Sequence, residues 1–81
     1  MNSALINVVI TAYNCGLLQF EPMSICGFNV KLDIKKRFNV LTIEFCGMVL
    51  SANIYDQDMV CTQESSIENL INDLVHMADN K

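Results

Sequence analysis

From Phe28 to Tyr55 the chain alternates between apolar and polar residues, and that period of two constrains the fold more than any other feature. Phe28, Val30, Leu32 and Ile34 alternate with Asn29, Lys31, Asp33 and Lys35. After a polar turn at Lys35–Arg37, Leu41, Ile43 and Phe45 share one face while Val40, Thr42, Glu44 and Cys46 share the other. Beyond Gly47, Met48, Leu50, Ala52 and Ile54 alternate with Val49, Ser51, Asn53 and Tyr55. Successive side chains of a strand point to opposite faces, so each run makes a strand with one apolar side. The connections are too short for a parallel crossover, which predicts an antiparallel meander of three strands. Cys46-Gly47 suits the tight turn between the second and third, since glycine reaches positive φ without steric cost. Asp56-Gln57-Asp58 makes the exit turn.

The period then changes. Ile67, Leu70, Ile71, Leu74, Val75 and Ala78 recur at the spacing of one helix face, with Glu68, Asn69, Asn72, Asp73, His76 and Asp79 opposite them. Ser65 and Glu68 have capping-box spacing, so the expected helix runs from about Ser65 to Asp79. Glu64 and Glu68 would then lie near its positive end.

Residues 4–13 admit two readings. As a helix, Ser3, Asn7, Thr11 and Asn14 form a narrow polar stripe, with Ser3 as N-cap and Gly16 as the stop. As a strand, the β-branched residues Ile6, Val8, Val9, Ile10 and Thr11 would be at home. The agreement of stripe and end signals favours the helix. Residues 17–27 are too apolar for a solvated connector, with Leu17, Leu18, Phe20, Met23, Ile25 and Cys26. Pro22 bars a regular helix there and confines any strand to a sheet edge. This segment packs across the end of the core or offers contact surface to another chain.

The expected architecture is an α+β, two-layer α-β-β-β-α arrangement in a single domain, residues 1–81. A three-stranded antiparallel meander is covered on one face by two helices; the alternative is ββββα, with residues 4–13 as a strand. The open face would carry Asn29, Lys31, Asp33, Val40, Thr42, Glu44, Val49, Ser51, Asn53 and Tyr55. An antiparallel sheet can present such a mixed face to water.

Composition bears on function at two points. Hydrophobic residues are 52% of the 81 and charged residues 17%. A domain this small hides only about 60% of the surface of its unfolded chain, so apolar surface is expected to remain outside unless a partner covers it. Net charge is −4, unevenly placed. Lys31, Lys35, Lys36 and Arg37 are the only cations before Lys81, and seven carboxylates with no Lys or Arg follow between Phe38 and Asn80. That acidic half disfavours direct nucleic-acid binding, which needs phosphate neutralisation, and suits a basic protein surface.

Catalytic equipment is sparse. His76 is the only histidine, on the polar face of the last helix between Asp73 and Asp79. Cys15, Cys26, Cys46 and Cys61 stand 11, 20 and 15 residues apart, without the paired spacing of a zinc site. Asp56 and Asp58 begin a calcium-loop pattern that Met59 and Val60 break. Gly16, Gly27 and Gly47 are isolated, so no phosphate loop is expected, and no cofactor or metal either. No segment approaches a membrane-spanning length, and an export signal is not apparent. Reduced cysteines and a cytoplasmic location follow as expectations.

The function expected from these features is that of a non-enzymatic protein-binding module, acting by surface occlusion of a larger protein or by forming a homodimer. Tyr55, Val49 and Val40 on the open face are its candidate contacts, with Phe20 and Met23 from the connector and Asp56, Asp58 and Glu64 as rim charge. A sharper version is an inhibitor, of the kind phages and mobile elements encode, directed at a nucleic-acid-handling host complex. The rivals are a small acidic chaperone or obligate subunit, and a thiol-dependent enzyme pairing a cysteine with His76.

Overall fold

The computed structural model describes residues 2–80. The chain runs α1 (Asn2–Asn14), a 3-10 turn (Leu17–Gln19), β1 (Met23–Ile25), β2 (Phe28–Ile34), β3 (Phe38–Phe45), β4 (Met48–Tyr55) and α2 (Val60–Asp79). It is an α+β fold: a four-stranded antiparallel meander in the order β1-β2-β3-β4, with both helices on one face.

The alternation read from the sequence becomes the two faces of this sheet. Val30, Leu41 and Ile43 are fully buried on the covered face, with Phe28 and Ile54 close to it. Their register partners agree, since Val30 stands opposite Ile43 and Leu41 opposite Ala52. Ile34 belongs to the same face but is 56% exposed, because it ends β2 near the rim of the sheet. Helix α2 lies on β3 and β4, inserting Ile67, Leu70, Ile71 and Leu74. Helix α1 packs beside α2 and contributes Leu5, Ile6, Val9 and Ala12. Leu18 of the 3-10 turn fills the space between α1 and β2. No polar side chain is buried among the described residues. One polar link ties the layers, Asn39 Nδ2 donating to the Tyr13 hydroxyl at 3.0 Å, and another ties the two helices, Asn14 Nδ2 donating to Glu64 Oε2 at 2.9 Å.

Residues 4–13 are helical, which disposes of the ββββα alternative. Gly16, at φ 80°, follows the helix end as expected, whereas Ser3 sits inside α1 rather than capping it. The sheet has one strand more than the three expected. That strand is β1, three residues immediately after Pro22 at the sheet edge, too short to show a period. It joins β2 through Cys26-Gly27, with φ of 51° and 83°, just as Cys46-Gly47, at 54° and 78°, joins β3 to β4. Two successive positive φ values define the type I′ turn that matches strand twist.

The start of α2 also differs. The helix begins at Val60, so Ser65 and Glu68 lie within it and do not cap it. Met59 occupies the N-cap without a side-chain bond, and its carbonyl accepts from the amides of Thr62 and Gln63, both at 3.0 Å. Gln63 Nε2 anchors this first turn to the Tyr55 carbonyl at 2.8 Å, and Ser66 Oγ bonds back to the Thr62 carbonyl at 3.1 Å. The added turn was hidden because Val60, Cys61 and Thr62 are exposed and leave no burial pattern.

Leu74→Ala should lower stability by about 2–5 kcal/mol in urea melts, as a fully buried truncation, and Asn72→Ala should change it little; equal effects would reverse the assigned face. At the β1–β2 turn, Gly27→Ala should cost about 1–2 kcal/mol through its left-handed backbone. Cys26→Asn should raise the urea midpoint, since asparagine tolerates that conformation best.

Candidate functional site

Two surfaces compete for a functional role. The first is the open face of the sheet. Its polar groups are largely engaged with one another: Asn29 Nδ2 donates to Glu44 Oε1 at 3.1 Å, and the Thr42 and Ser51 hydroxyls share a bond of 3.0 Å. Lys31 and Asp33 form an exposed ion pair at 4.0 Å. The apolar groups of this face do not form one patch. Tyr55 leans on Phe38 with ring centroids 5.6 Å apart, and Val40 is diagonal to it across β3 and β4. Val49 pairs with Glu44 at the other end of β4, six residues and about 20 Å from Tyr55. The three open-face residues singled out from sequence are thus a pair plus an outlier.

The second surface runs along the outer side of α1. Val8 lines two adjoining depressions. One is an open groove of about 630 Å³ bounded by Leu5 and Val8, by Ile25 and Phe45 of the sheet, and by Val75 and Asp79 of α2. The parallel stack of Phe28 on Phe45, with centroids 4.0 Å apart and planes 4° apart, contributes to its wall. The other holds Thr11, Cys15, Leu17 and Met23. Together they make an apolar strip, along which Val8 is 40% and Leu17 52% exposed. Phe20, just beyond the 3-10 turn, is 85% exposed. Met23 and Ile25 are half-buried, side by side with Val30 and Phe28.

Val8 was missed from sequence, and Leu17 was read only as part of the apolar connector. The available signal was the breadth of the apolar surface of α1: Ala4, Leu5, Ile6, Val8, Val9, Ile10 and Ala12 span more of the helix than one core-facing stripe requires. Adjacency to Met23 and Ile25 depends on β1, which sequence reasoning did not find.

The cations among the described residues are confined to the sheet layer. Neither helix contains Lys or Arg, and α2 carries Glu64, Glu68, Asp73 and Asp79. Lys31, Lys35, Lys36 and Arg37 all belong to β2 and the turn that follows it. Asp56 and Asp58 sit in the exposed turn after β4, where Asp58 shares a shallow cleft with Lys36, Arg37, Phe38 and Tyr55. Glu64 is half-buried and held by Asn14, so it joins the helices and does not stand as a free rim charge.

The thiols are dispersed. Cys26 and Cys46 occupy the two tight turns, Cys61 the first turn of α2, and Cys15 the end of α1, where its thiol donates to the Ala12 carbonyl at 3.6 Å. His76 Nε2 lies 3.0 Å from Asn80 Nδ2 in the last turn of α2. Cys61 is fifteen residues earlier on that helix, about 22 Å away. Among the described residues no cluster of three or more His, Cys, Asp or Glu has the arrangement to hold a metal ion, and no helix is long and apolar enough to cross a membrane. No protein-family model matches the chain, and neither a curated protein nor a solved structure matches it.

Because His76 is engaged by Asn80 at the far end of α2, His76→Ala should leave the iodoacetamide labelling rates of all four cysteines unchanged. A single thiol slowed by that substitution would restore the thiol-enzyme reading.

Proposed function

We propose that the protein is a non-enzymatic, acidic protein-binding module that works by occupying a surface of a larger protein. The observation that carries this reading is the apolar strip of α1, in which Val8 and Leu17 stay exposed beside two adjoining depressions, with Phe20 exposed three residues beyond Leu17. Other exposed apolar side chains, such as Ile34 and Met59, line neither of these depressions, whereas Val8 lines both. Exposed apolar surface with polar neighbours is the usual anatomy of a protein contact.

The charge around the strip suits a basic partner. Asp79 borders the groove and both helices lack cations, while Phe20 shares its depression with both Glu21 and Lys31. The complementary surface is an apolar patch flanked by Lys and Arg. Proteins that grip nucleic acid carry such basic surfaces, and a nucleic-acid-handling complex is the target class this charge suits. Inhibition of the sort phages and mobile elements practise would follow from covering that surface. Phe20 and Leu17 are the anchors of this proposal. Tyr55 and Phe38 form a separate aromatic contact at the other layer, with Val40 on the same face.

Photocrosslinking in the native cell tests it. A benzophenone amino acid at position 17 or 20 should capture a larger protein, whereas the same group at Gln57 should not. Capture should be lost in a Val8→Asp variant and should weaken as salt rises, since complementary charge is screened. Equal capture from all three positions, or capture insensitive to Val8→Asp, would overturn the proposal.

A further inference from the structure

The two edges of the sheet are unlike. β1 is three residues long, follows Pro22 and ends in a positive-φ turn. β4 runs for eight residues, Met48–Tyr55, with no charge, no proline and an unbroken register to β3. Protein sheets usually blunt their edges with short strands, prolines, charges or bulges, because an open edge invites another strand. β1 has two of these devices and β4 has none.

Which backbone groups of β4 are open follows from the phase of its pairing. The Asp56 amide donates to the Arg37 carbonyl at 3.1 Å. In an antiparallel pair, hydrogen-bonded positions recur every second residue. Met48, Leu50, Ala52 and Ile54 therefore turn their amides and carbonyls toward β3, and Val49, Ser51, Asn53 and Tyr55 turn theirs outward. The Tyr55 carbonyl is already taken, by the Asp58 amide at 3.1 Å and by Gln63 Nε2 at 2.8 Å. What remains is a window of three residues, Val49, Ser51 and Asn53, symmetric about Ser51.

We propose that this edge pairs antiparallel with the β4 edge of a second copy of the chain, on a two-fold axis through Ser51, to form one continuous eight-stranded sheet. In this register Ser51 faces Ser51, and Val49 of each copy faces Asn53 of the other. About six backbone hydrogen bonds close across the axis, each of the three residues donating and accepting once. Leu50 meets Ala52 on the covered side, where both are half-buried at the rim of the core. A two-fold contact must complement itself. The window meets that demand because it carries no charge to repel its own copy and because its open groups are evenly disposed about one residue. The association uses β4 and not the α1 strip, so either proposal can fail without the other.

Sedimentation velocity over a dilution series tests it, with two double variants that read the register. The mass should rise from 9.1 kDa toward twice that value as concentration increases. Val49→Lys with Asn53→Lys sets like charges opposite each other twice and should weaken the dimer about tenfold. Val49→Lys with Asn53→Glu sets opposite charges there and should hold the dimer at least as well as the native chain. Within one copy these positions are four residues apart on an exposed strand face, so both variants should give the same monomer fold by circular dichroism. A mass of 9.1 kDa at every concentration, as when a foreign strand is the true occupant, would overturn the proposal. So would an equal response of the two variants.

Discussion

The seam between α2 and the covered face of β3 and β4 is the contact on which the rest of this molecule depends. Ile67, Ile71 and Leu74 on the helix and Leu41, Ile43 and Ile54 on the strands are at most 1% exposed, a degree of burial that α1 matches only at Val9. Buried apolar side chains of this size contribute roughly 1.5–3 kcal/mol each relative to exposure. The seam therefore supplies much of the driving force that holds the sheet and its helices together. Helix α1 adds a second, shallower layer. Its burial is concentrated on Leu5, Ile6, Val9 and Ala12, and its outer side is left to solvent.

That difference in depth leaves apolar surface on the outer side of α1. A small domain can cover a sheet face with two helices, but each helix has its own back to account for. α2 solves this with Glu68, Asn69, Asn72 and Asp73, a polar back facing water. α1 has no charged residue in Asn2–Asn14, and Asn7 and Thr11 are the main polar relief along its outer side. Part of the surplus of apolar residues visible in the composition resides on this helix and the connector that follows it, at Val8, Leu17 and Phe20. The rest is scattered over the strands, α2 and its N-cap, at Ile34, Val49, Tyr55, Met59, Val60 and Met77. The cations among the described residues, meanwhile, are confined to β2 and its turn, while carboxylates occur on α2, on the sheet and in the connecting turns.

The elements most legible in the sequence were those whose periodicity coincides with burial. The alternating runs over 28–35, 40–46 and 48–55 were read as strands because alternate positions enter the same core, and residues 65–79 as a helix for the corresponding reason. Elements held by other means were harder to read. β1 is fastened by three residue pairs and a turn, and its only sequence trace was the repetition of Cys-Gly at positions 26–27 and 46–47. The first turn of α2 is fastened by Gln63 reaching the Tyr55 carbonyl, a contact across eight residues that no local pattern encodes. Ser65 and Glu68 imitated a helix start where the helix was already under way. For the surfaces, Phe20 was legible as an apolar residue in a connector, whereas the strip around Val8 depends on how α1 meets β1. Val49 and Tyr55 share a strand face, but strand geometry separates them.

The hydrogen bond between Asn14 and Glu64 joins residues fifty positions apart, and it marks a consequence for biosynthesis. The helix layer is drawn from both sides of the sheet in sequence. While the ribosome is still translating the hairpins, α1 has no companion helix, and the covered face of β3 and β4 stays bare until residues 60–79 emerge. A nascent chain of this protein thus passes through a long sticky interval, during which holding chaperones have their natural point of entry.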